Sequence, residues 1–467
     1  MTAEKISRQE IRRDMMLNGE LHRVIPKLAL PMIVSMLINS FYNMVDTFFV
    51  SMISAEATAA AGVNFSLMSI ITAVGMAFGV GAGSYISRLL GAKRDEEASH
   101  TLSTAFVFAL GFGTLIMFLG FIFMRELVVF MGATPEIIQY SIDYASYILY
   151  AAPIMAGSFV LSQGLRAEGN PIFAMLGMAV GGVINIALDP IFIFTLDWGV
   201  AGASAATAVS QLISFLVLLY PFAKKNTLVN LGFKHFSPKK SIMVEISKMG
   251  FPTLLRSGLM TISLIITNNL AGGFSTHALA AISVVNRLMM FIGSSLIGFG
   301  QGFQPVAGYN WGAKRYDRVL KSFRFSSIVG VAGVSVLCVI VAILAPTIMR
   351  AFSDQQEVIN LGAFSIRLNC LAMPAHAWVI VINMLFQAMG RGTSAAILSL
   401  SRQGICFIPS VVIMSLLFGI WGLASAQAVA DFLSLVLAIP LLLKVLKEIK
   451  GLNEGAVLAA KPGQAKP

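Results

Sequence analysis

The sequence lacks the charge that a water-soluble chain of this length carries. Only 12% of its 467 residues are Asp, Glu, Lys or Arg, whereas 57% are hydrophobic. A typical soluble domain is about a quarter charged, and it cannot bury so large an apolar fraction. The composition therefore excludes a soluble globular protein and indicates a chain that lies in a membrane.

Residues that build disulfide and metal sites are also scarce. The chain has three cysteines and five histidines, and none has the spacing of a disulfide framework or a metal site. Each cysteine stands alone in an apolar run, which favours core packing: Cys338, Cys370 and Cys406. A phosphate-binding loop is missing, as is any His/Asp/Glu or Ser/His cluster at membrane depth. We therefore expect neither an enzyme nor a resident cofactor, only a transported ion.

Long apolar runs fill most of the chain. A membrane-spanning helix needs about 20 apolar residues, and twelve runs meet this length. They lie at about 26–50, 57–87, 101–124, 140–163, 172–195, 199–222, 250–272, 278–305, 325–347, 361–387, 394–418 and 421–443. The first run is of spanning length, so we expect it to be retained rather than cleaved as a signal peptide. The fold class predicted is an all-α polytopic membrane protein with twelve transmembrane helices.

The Lys and Arg residues behind the net charge of +11 are concentrated in alternate loops. If the N-terminus is cytoplasmic, nearly all Lys and Arg outside the spans fall in cytoplasmic loops. The opposite loops hold little beyond Arg125 and Arg350. This asymmetry follows the positive-inside rule, so we expect both termini in the cytoplasm of a cell (inner) membrane protein. The positive charge then needs no nucleic-acid partner.

The chain also contains an internal repeat. KLALPMIVS (27–35) aligns with KMGFPTLLRS (248–257), LLGAKR (89–94) with NWGAKR (310–315), and RAEGN (166–170) with the stretch around AMGRG (388–392), all at one offset. Two six-helix halves of equal orientation follow, an arrangement typical of secondary transporters with the substrate path between the halves. The predicted division is an N-terminal segment (1–25), an N-lobe (26–222), a linker (223–248), a C-lobe (249–443) and a tail (444–467).

Two carboxylates lie inside apolar spans. They are Asp46 in NSFYNMVDTFFV (39–50) and Asp189 in NIALDPIFIF (185–194). A charged side chain at the centre of a spanning helix costs about 2.5–3.5 kcal/mol on insertion scales, so such a residue is a functional-site candidate. Asn185 lies four residues before Asp189 and shares its helix face, as Asn39 and Tyr42 share that of Asp46.

These groups are predicted to lie at one depth, in the outer half of the bilayer. Thr207 of the sixth span reaches the same depth when about 1.5 Å is allowed per residue. Carboxylate, amide and hydroxyl oxygens suit a hard cation or a shared proton. Another interpretation stays open, in which Asp189 stabilises the kink at Pro190 and a neighbouring hydroxyl bonds Asp46.

These features together resemble the multidrug and toxic compound extrusion (MATE) family of antiporters, in its prokaryotic DinF-like or MepA-like branch. The resemblance rests on the repeat, on GVGAGSYISRLLGAKR (79–94), RAEGNP (166–171) and NIALDPIFIF, and on GFGQGFQPVAGYNWGAKR (298–315). It implies a V-shaped pair of six-helix lobes that export drugs in exchange for H⁺ or Na⁺. The positions that match the family's N-lobe cation site, which could hold Na⁺, are Asp46, Asn185, Asp189 and Thr207, with Asn39, Tyr42 and Tyr144 as the supporting network.

The second half differs in charge. The repeat positions of Asp46, Asn185 and Asp189 are occupied by Thr267, Cys406 and Ser410. Instead, four arginines fall inside its spans: Arg256, Arg287, Arg367 and Arg402. Unpaired arginine is unfavourable in lipid, so they either hold helices together, one of them pairing with Asp431, or line a substrate cavity that favours anionic or zwitterionic compounds.

The function expected is cation-coupled antiport of amphiphilic organic compounds by alternating access, with helix 1 bending at Pro31. We expect a small-molecule substrate, a lipid bilayer around the chain and activity as a monomer. Exporters of anionic metabolites and lipid-linked flippases of the same superfamily are the alternative. A channel is disfavoured, because the acids occur in one half only.

Overall fold

The computed structural model describes residues 3–459, without the side chains of residues 3–8, 276 and 455–459. Within this range the chain forms helices and no strand. The α-helices are α1 (Ala3–Asn18), α2 (Leu21–Ser51), α3 (Ala55–Gly91), α4 (Asp95–Ile122), α5 (Met124–Phe130), α6 (Ile138–Ala167), α7 (Pro171–Pro190), α8 (Gly199–Ala223), α9 (Lys240–Phe274), α10 (Thr276–Gly312), α11 (Tyr316–Arg350), α12 (Gln356–Ala388), α13 (Gly392–Leu400) and α14 (Phe407–Ala459). Two π-helices, Ile191–Thr195 and Ser401–Ile405, extend α7 and α13.

These helices supply the twelve predicted crossings. Eleven helical segments of the described chain are long and apolar enough to span a membrane. The last of them, Gly392–Glu454, has 63 residues, which at about 1.5 Å per residue is three times the thickness of the hydrocarbon core. It is divided at Gly419, whose backbone is non-helical at φ 61° and ψ −139°. This segment therefore crosses twice, and the predicted all-α fold with twelve spans is confirmed.

Each six-helix half is built around one central helix. In the first half α6 packs against α3, α4 and α8, and in the second half its repeat counterpart α12 packs against α10, α11 and α14. Small residues let the helices approach closely. A Cβ on Gly75 of α3 would lie 2.9 Å from the Ala156 Cα, and one on Gly113 of α4 would lie 2.6 Å from the Pro153 Cα.

The two lobes join at one face of the bundle and separate toward the other. We call the first the linker face, because it carries α1 and the segment 224–239 between the lobes. A single apolar core there contains residues of both lobes, such as Ile86 and Leu165 with Phe303 and Leu385. Toward the opposite, far face the core divides into one cluster in each lobe. The molecule is therefore a V that is closed at the linker face.

Glycines make the closure at the linker face tight. Gly91 of α3 lies directly on the Tyr309 carbonyl of α10, and Gly312 of α10 lies on the Arg88 carbonyl of α3. No side chain fits at either position without displacing backbone. Two hydrogen bonds cross the same seam: Arg166 donates to Gln301, and the Ser84 hydroxyl donates to the Gln387 carbonyl.

Helix α1 lies across both lobes at the linker face, which the sequence analysis did not predict. On the N-lobe side, Arg12 pairs with Glu168 at 3.4 Å. On the C-lobe side, the Asn310 amide donates to the Met16 carbonyl at 3.1 Å, and Arg315 donates to the Leu17 carbonyl at 2.8 Å. The helix therefore stabilises the state in which the linker-face ends of the lobes are together.

Candidate functional site

Asn185, Asp189 and Thr207 lie together between α7 and α8. The Asn185 amide donates to Asp189 Oδ1 at 3.1 Å and lies 3.3 Å from Thr207 Oγ1, to which it also donates. All three side chains are buried, and Asp189 is fully buried. The spacing of four residues on α7 places Asn185 and Asp189 on one face, as the sequence predicts.

Helix α2 brings Asp46 to the same place. The Tyr144 hydroxyl of α6 hydrogen-bonds the Asp46 carboxylate, and Asp46 is close enough to Asp189 to interact with it electrostatically. Tyr42 interacts with both carboxylates, and its ring packs on Gly182 of α7, where a Cβ would lie 3.2 Å from Cδ1. The structure thus gathers the two acids and both predicted tyrosines from three helices, and Thr207 adds α8 as a fourth. We call these five residues, together with Asn185, the acid cluster.

Three oxygens of this cluster are buried and have no hydrogen-bond partner among the described residues. They are Asp46 Oδ1, Asp189 Oδ2 and Asn185 Oδ1. A buried acceptor without a partner costs about 1–3 kcal/mol, and most buried polar groups in proteins are satisfied. Three unsatisfied oxygens from three side chains therefore form a set that a proton or a hard cation would complete.

The local backbone explains how Asp189 is held. Pro190 has no N–H, so the regular helical hydrogen bond is lost there. The chain continues as the π-helix Ile191–Thr195, and a Cβ on Gly202 of α8 would lie 2.5 Å from the Phe192 carbonyl oxygen of that segment. Asp189 Oδ1 accepts its bond from Asn185, one turn earlier. Irregular segments of this kind are frequent at functional sites.

Asn39 of the predicted supporting network and the predicted hinge Pro31 are less involved. Asn39 contributes its backbone carbonyl, which accepts from the Asn43 side chain at 2.6 Å, and no side-chain bond of Asn39 occurs in the described part of the chain. Pro31 lies on α2, which remains one helix through Pro26 and Pro31. A hydroxyl does bond Asp46, as the other interpretation expects, but Tyr144 leaves one carboxylate oxygen without a partner.

The four arginines of the second half do not line one common cavity. Arg402 donates from Nε to Asp431 Oδ1 at 2.7 Å, which is the predicted pairing of Asp431 with an arginine. Arg256 is half-buried and near Arg402. Arg367 is exposed and bonds the Ala342 carbonyl at 3.3 Å, and Arg287 is exposed on α10. Only Arg256 and Arg402 are neighbours.

In the second half, the residues at the repeat positions of Asp46, Asn185 and Asp189 pack inside the lobe. Thr267 is buried and donates to the Ser263 carbonyl of its own helix at 2.8 Å. Cys406 and Ser410 are also buried, each 5% exposed. The described residues at these three positions therefore offer no carboxylate to an ion.

A further buried acid, Glu168, was missed by the sequence analysis. It follows α6 at the linker face, is fully buried, and accepts from the Leu228 N–H at 2.7 Å. Burial is the main cause that raises the pKa of Glu168 from 4.5 to about 7, while Arg12 and hydrogen bonds act in the opposite direction. The repeat could have indicated that Glu168 is buried, because the matching position in the second half is the apolar Met389.

Comparison with known proteins agrees with this architecture. The family model described as MatE matches residues 31–191 and again residues 252–413, one stretch in each half. The multidrug export protein MepA of Staphylococcus haemolyticus (strain JCSC1435) is 30% identical over 414 residues, which cover 87% of this chain and 91% of that protein.

Two solved structures extend the similarity to the fold. An outward-facing conformation of a multidrug resistance MATE family transporter of the MOP superfamily has a TM-score of 0.88 at 25% identity, covering 94% of this chain and 98% of that one. A MATE crystal structure in the bent conformation also has a TM-score of 0.88 at 25% identity, covering 95% and 99%. Because the family model matches both halves, the chain belongs to the MatE family of multidrug and toxic compound extrusion (MATE) transporters.

Proposed function

We propose that this chain exports drugs and other amphiphilic organic compounds in exchange for H⁺ or Na⁺ by alternating access. The observation that carries the proposal is the set of three buried, unpartnered oxygens on Asp46, Asp189 and Asn185. An ion or proton satisfies them and neutralises two acids that are unfavourable at low dielectric. Its relatives' names supply the substrate class, since the staphylococcal proteins are multidrug export proteins.

Exposure supports an order of binding. Asp46 is partly exposed, whereas Asp189 is fully buried. An ion that arrives from the space between the lobes therefore meets Asp46 first and then reaches Asp189 and the Asn185–Thr207 pair. Tyr144 and Tyr42 interact electrostatically with both acids, and the Tyr144 hydroxyl also hydrogen-bonds Asp46.

Helix α2 offers a link between the ion and the lobe seam. Asp46 lies near one end of α2, and Pro31 lies near its middle, where a helical hydrogen bond is missing. The turns on either side of Pro31 pack closely on α10, because a Cβ on Gly298 would lie 2.8 Å from the Ile33 Cα and one on Gly302 would meet Ala29. Bending of α2 at Pro31 after Asp46 is neutralised would therefore disturb contacts on which the V depends.

The membrane orientation follows from charge. The linker face carries the Lys-rich segment 224–239 and the basic turns after α3 and α10. By the positive-inside rule this face is cytoplasmic, which makes the closed V an outward-facing state. Both termini are then in the cytoplasm, and one chain contains the complete ion site, so a monomer suffices for transport.

The test is a flux assay in proteoliposomes of defined orientation. A fluorescent cationic drug is placed on the linker-face side, and an H⁺ gradient or a Na⁺ gradient, each directed from the far-face side toward the linker-face side, is imposed separately. Export that follows one of these gradients, and that stops in Asp46→Asn, is the expected result. Equal export with and without any gradient, or full export by Asp46→Asn, would contradict coupled antiport.

A further inference from the structure

The C-lobe contains a second cluster of charged and polar groups, on the four helices that correspond to those of the acid cluster. Arg256 lies on α9, His376 on α12, Arg402 on the π-helix after α13, and Asp431 on α14. Arg402 is close enough to act electrostatically on both Arg256 and His376. The acid cluster is drawn from α2, α6, α7 and α8, so the two clusters lie on corresponding helices. They lie at different positions along those helices, because the repeat counterparts of Asp46 and Asp189 are Thr267 and Ser410.

The charges of this cluster do not cancel. Asp431 is 2% exposed and accepts from Arg402 at 2.7 Å and from Gln427 at 3.1 Å, which neutralises Arg402 alone. Arg256 has no salt bridge or hydrogen bond among the residues that the structure describes. An arginine within a membrane span is costly without a partner, and the nearest charge that acts on it is another arginine.

Burial shows which groups a ligand could reach. Arg402 keeps 23% of its side chain exposed, while its partner Asp431 is almost fully covered. His376 is 6% exposed, and its Nδ1 has no hydrogen-bond partner within the described range. The accessible side of the cluster therefore presents the guanidinium groups of Arg256 and Arg402, while the ring nitrogen of His376 lies buried behind the surface.

The cluster lies on the far-face side of a close contact between the lobes. Helix α9 approaches the N-lobe at Gly250, where a Cβ would lie 2.7 Å from the Ala77 carbonyl oxygen. Arg256 follows Gly250 by about 9 Å of helix, in the direction of the far face. The π-helix that carries Arg402 is tied to α9, because the Ser263 hydroxyl donates to the Gln403 carbonyl.

From this we propose that Arg256 and Arg402 of the C-lobe bind the anionic group of those exported compounds that carry one. Guanidinium groups bind carboxylates through charge-assisted, often bidentate, hydrogen bonds. The inference rests on the proposed export function and adds the recognition of one substrate group. The space between the lobes would then have an acidic wall in the N-lobe and a basic wall in the C-lobe.

A lipid phosphate has the same chemistry as a substrate carboxylate. We commit to the substrate group, because Arg256 is half-buried beside Arg402 rather than fully exposed on a helix exterior. Anionic lipid is therefore included in the test as a competitor.

The experiment uses two xanthene dyes that differ in one group, a zwitterion with a free carboxylate and its methyl ester, which is a cation. Fluorescence anisotropy gives the ratio of their affinities for the full chain in zwitterionic-lipid nanodiscs. We expect the wild type to prefer the acid, and Arg256→Gln to reduce this preference about tenfold, as loss of one charge-assisted hydrogen bond would. The matched control is Arg350→Gln, which removes an exposed charge at the end of α11 and should keep the preference.

Each outcome supports or overturns the inference. A wild type that binds the ester as well as the acid, or binds neither, overturns it, and so does an unchanged ratio in Arg256→Gln. Loss of acid binding when phosphatidylglycerol is added assigns the site to lipid and also overturns it. The single substitution Arg402→Gln would leave the buried Asp431 carboxylate without its counter-charge and so destabilise the fold. Arg402 is therefore tested in the double variant Arg402→Gln/Asp431→Asn. If the ester is still exported in an Asp46-dependent manner while the ratio is unchanged, the export function stands and only this inference fails.

Discussion

The two lobes share a helix arrangement and differ in what they do with carboxylates. In the N-lobe, Asp189 accepts one hydrogen bond and leaves its second oxygen without a partner in the described structure. In the C-lobe, Asp431 is equally buried, but an arginine and a glutamine bind it. The difference teaches that a buried acid is a candidate for ion binding when its bonding is incomplete, and a structural element when it is complete.

The largest expected effect concerns transport. Asp189→Asn should abolish gradient-driven export, because the amide cannot take up a proton or neutralise a cation. Its repeat counterpart Ser410→Ala should export at a rate close to that of the wild type. The measurement is initial export from proteoliposomes at matched protein density, and equal rates in the two variants would remove the functional distinction between the lobes.

The next effect concerns stability, with the same substitution in both lobes. Asp431→Asn should lower the free energy of unfolding by about 3 kcal/mol, because Arg402 loses its counter-charge within the bundle. Asp189→Asn should change it by less than about 1 kcal/mol, since the amide oxygen still accepts from Asn185. Thermal unfolding in one detergent compares the two variants. If Asp189→Asn is the more damaging variant, the N-lobe acid has a structural role.

The smallest effect depends on pH and concerns Glu168. The pKa of Glu168 is raised in the folded state from 4.5 to about 7, so the folded chain binds the extra proton between these values. The stability of the wild type relative to Glu168→Gln should therefore fall as pH rises from about 5 to about 8, by at most about 3 kcal/mol.

The control for this prediction is the repeat counterpart. Met389→Leu changes an apolar residue at the corresponding position and should leave the pH profile of thermal unfolding as in the wild type. A wild-type profile that runs parallel to that of Glu168→Gln would show that Glu168 does not titrate in this range.

Much of the fold could be predicted because lipid imposes simple rules. Apolar runs of spanning length, the Lys/Arg asymmetry and the repeat predict twelve spans in two halves. The approach of Asp46 to Asp189 followed from matched depth and from helix faces, since polar faces must turn away from lipid. The break at Gly419 falls between two predicted spans, at a glycine that tolerates φ 61°.

What could not be predicted depends on contacts between distant parts of the chain. Helix α1 bridges the lobes through backbone carbonyls, as in the bond from Arg315 to Leu17, and carbonyls carry no sequence signal. Asn39 shares the predicted face of Asp46, but its position allows only its carbonyl to take part. Face and depth restrict a side chain to a region, and packing then decides which atoms meet.

The glycine seam at the linker face has a consequence for how such a chain can arise and assemble. Gly91 and Gly312 are repeat equivalents, and so are Arg88 and Tyr309, whose carbonyls they contact. The same contact is therefore made twice, once from each side, as in an isologous interface between identical subunits. One half thus encodes a self-complementary surface, and the covalent connection raises the effective concentration of its partner. In this sense the molecule is a two-fold dimer in a single chain, in which only the N-lobe carries the carboxylates of the acid cluster.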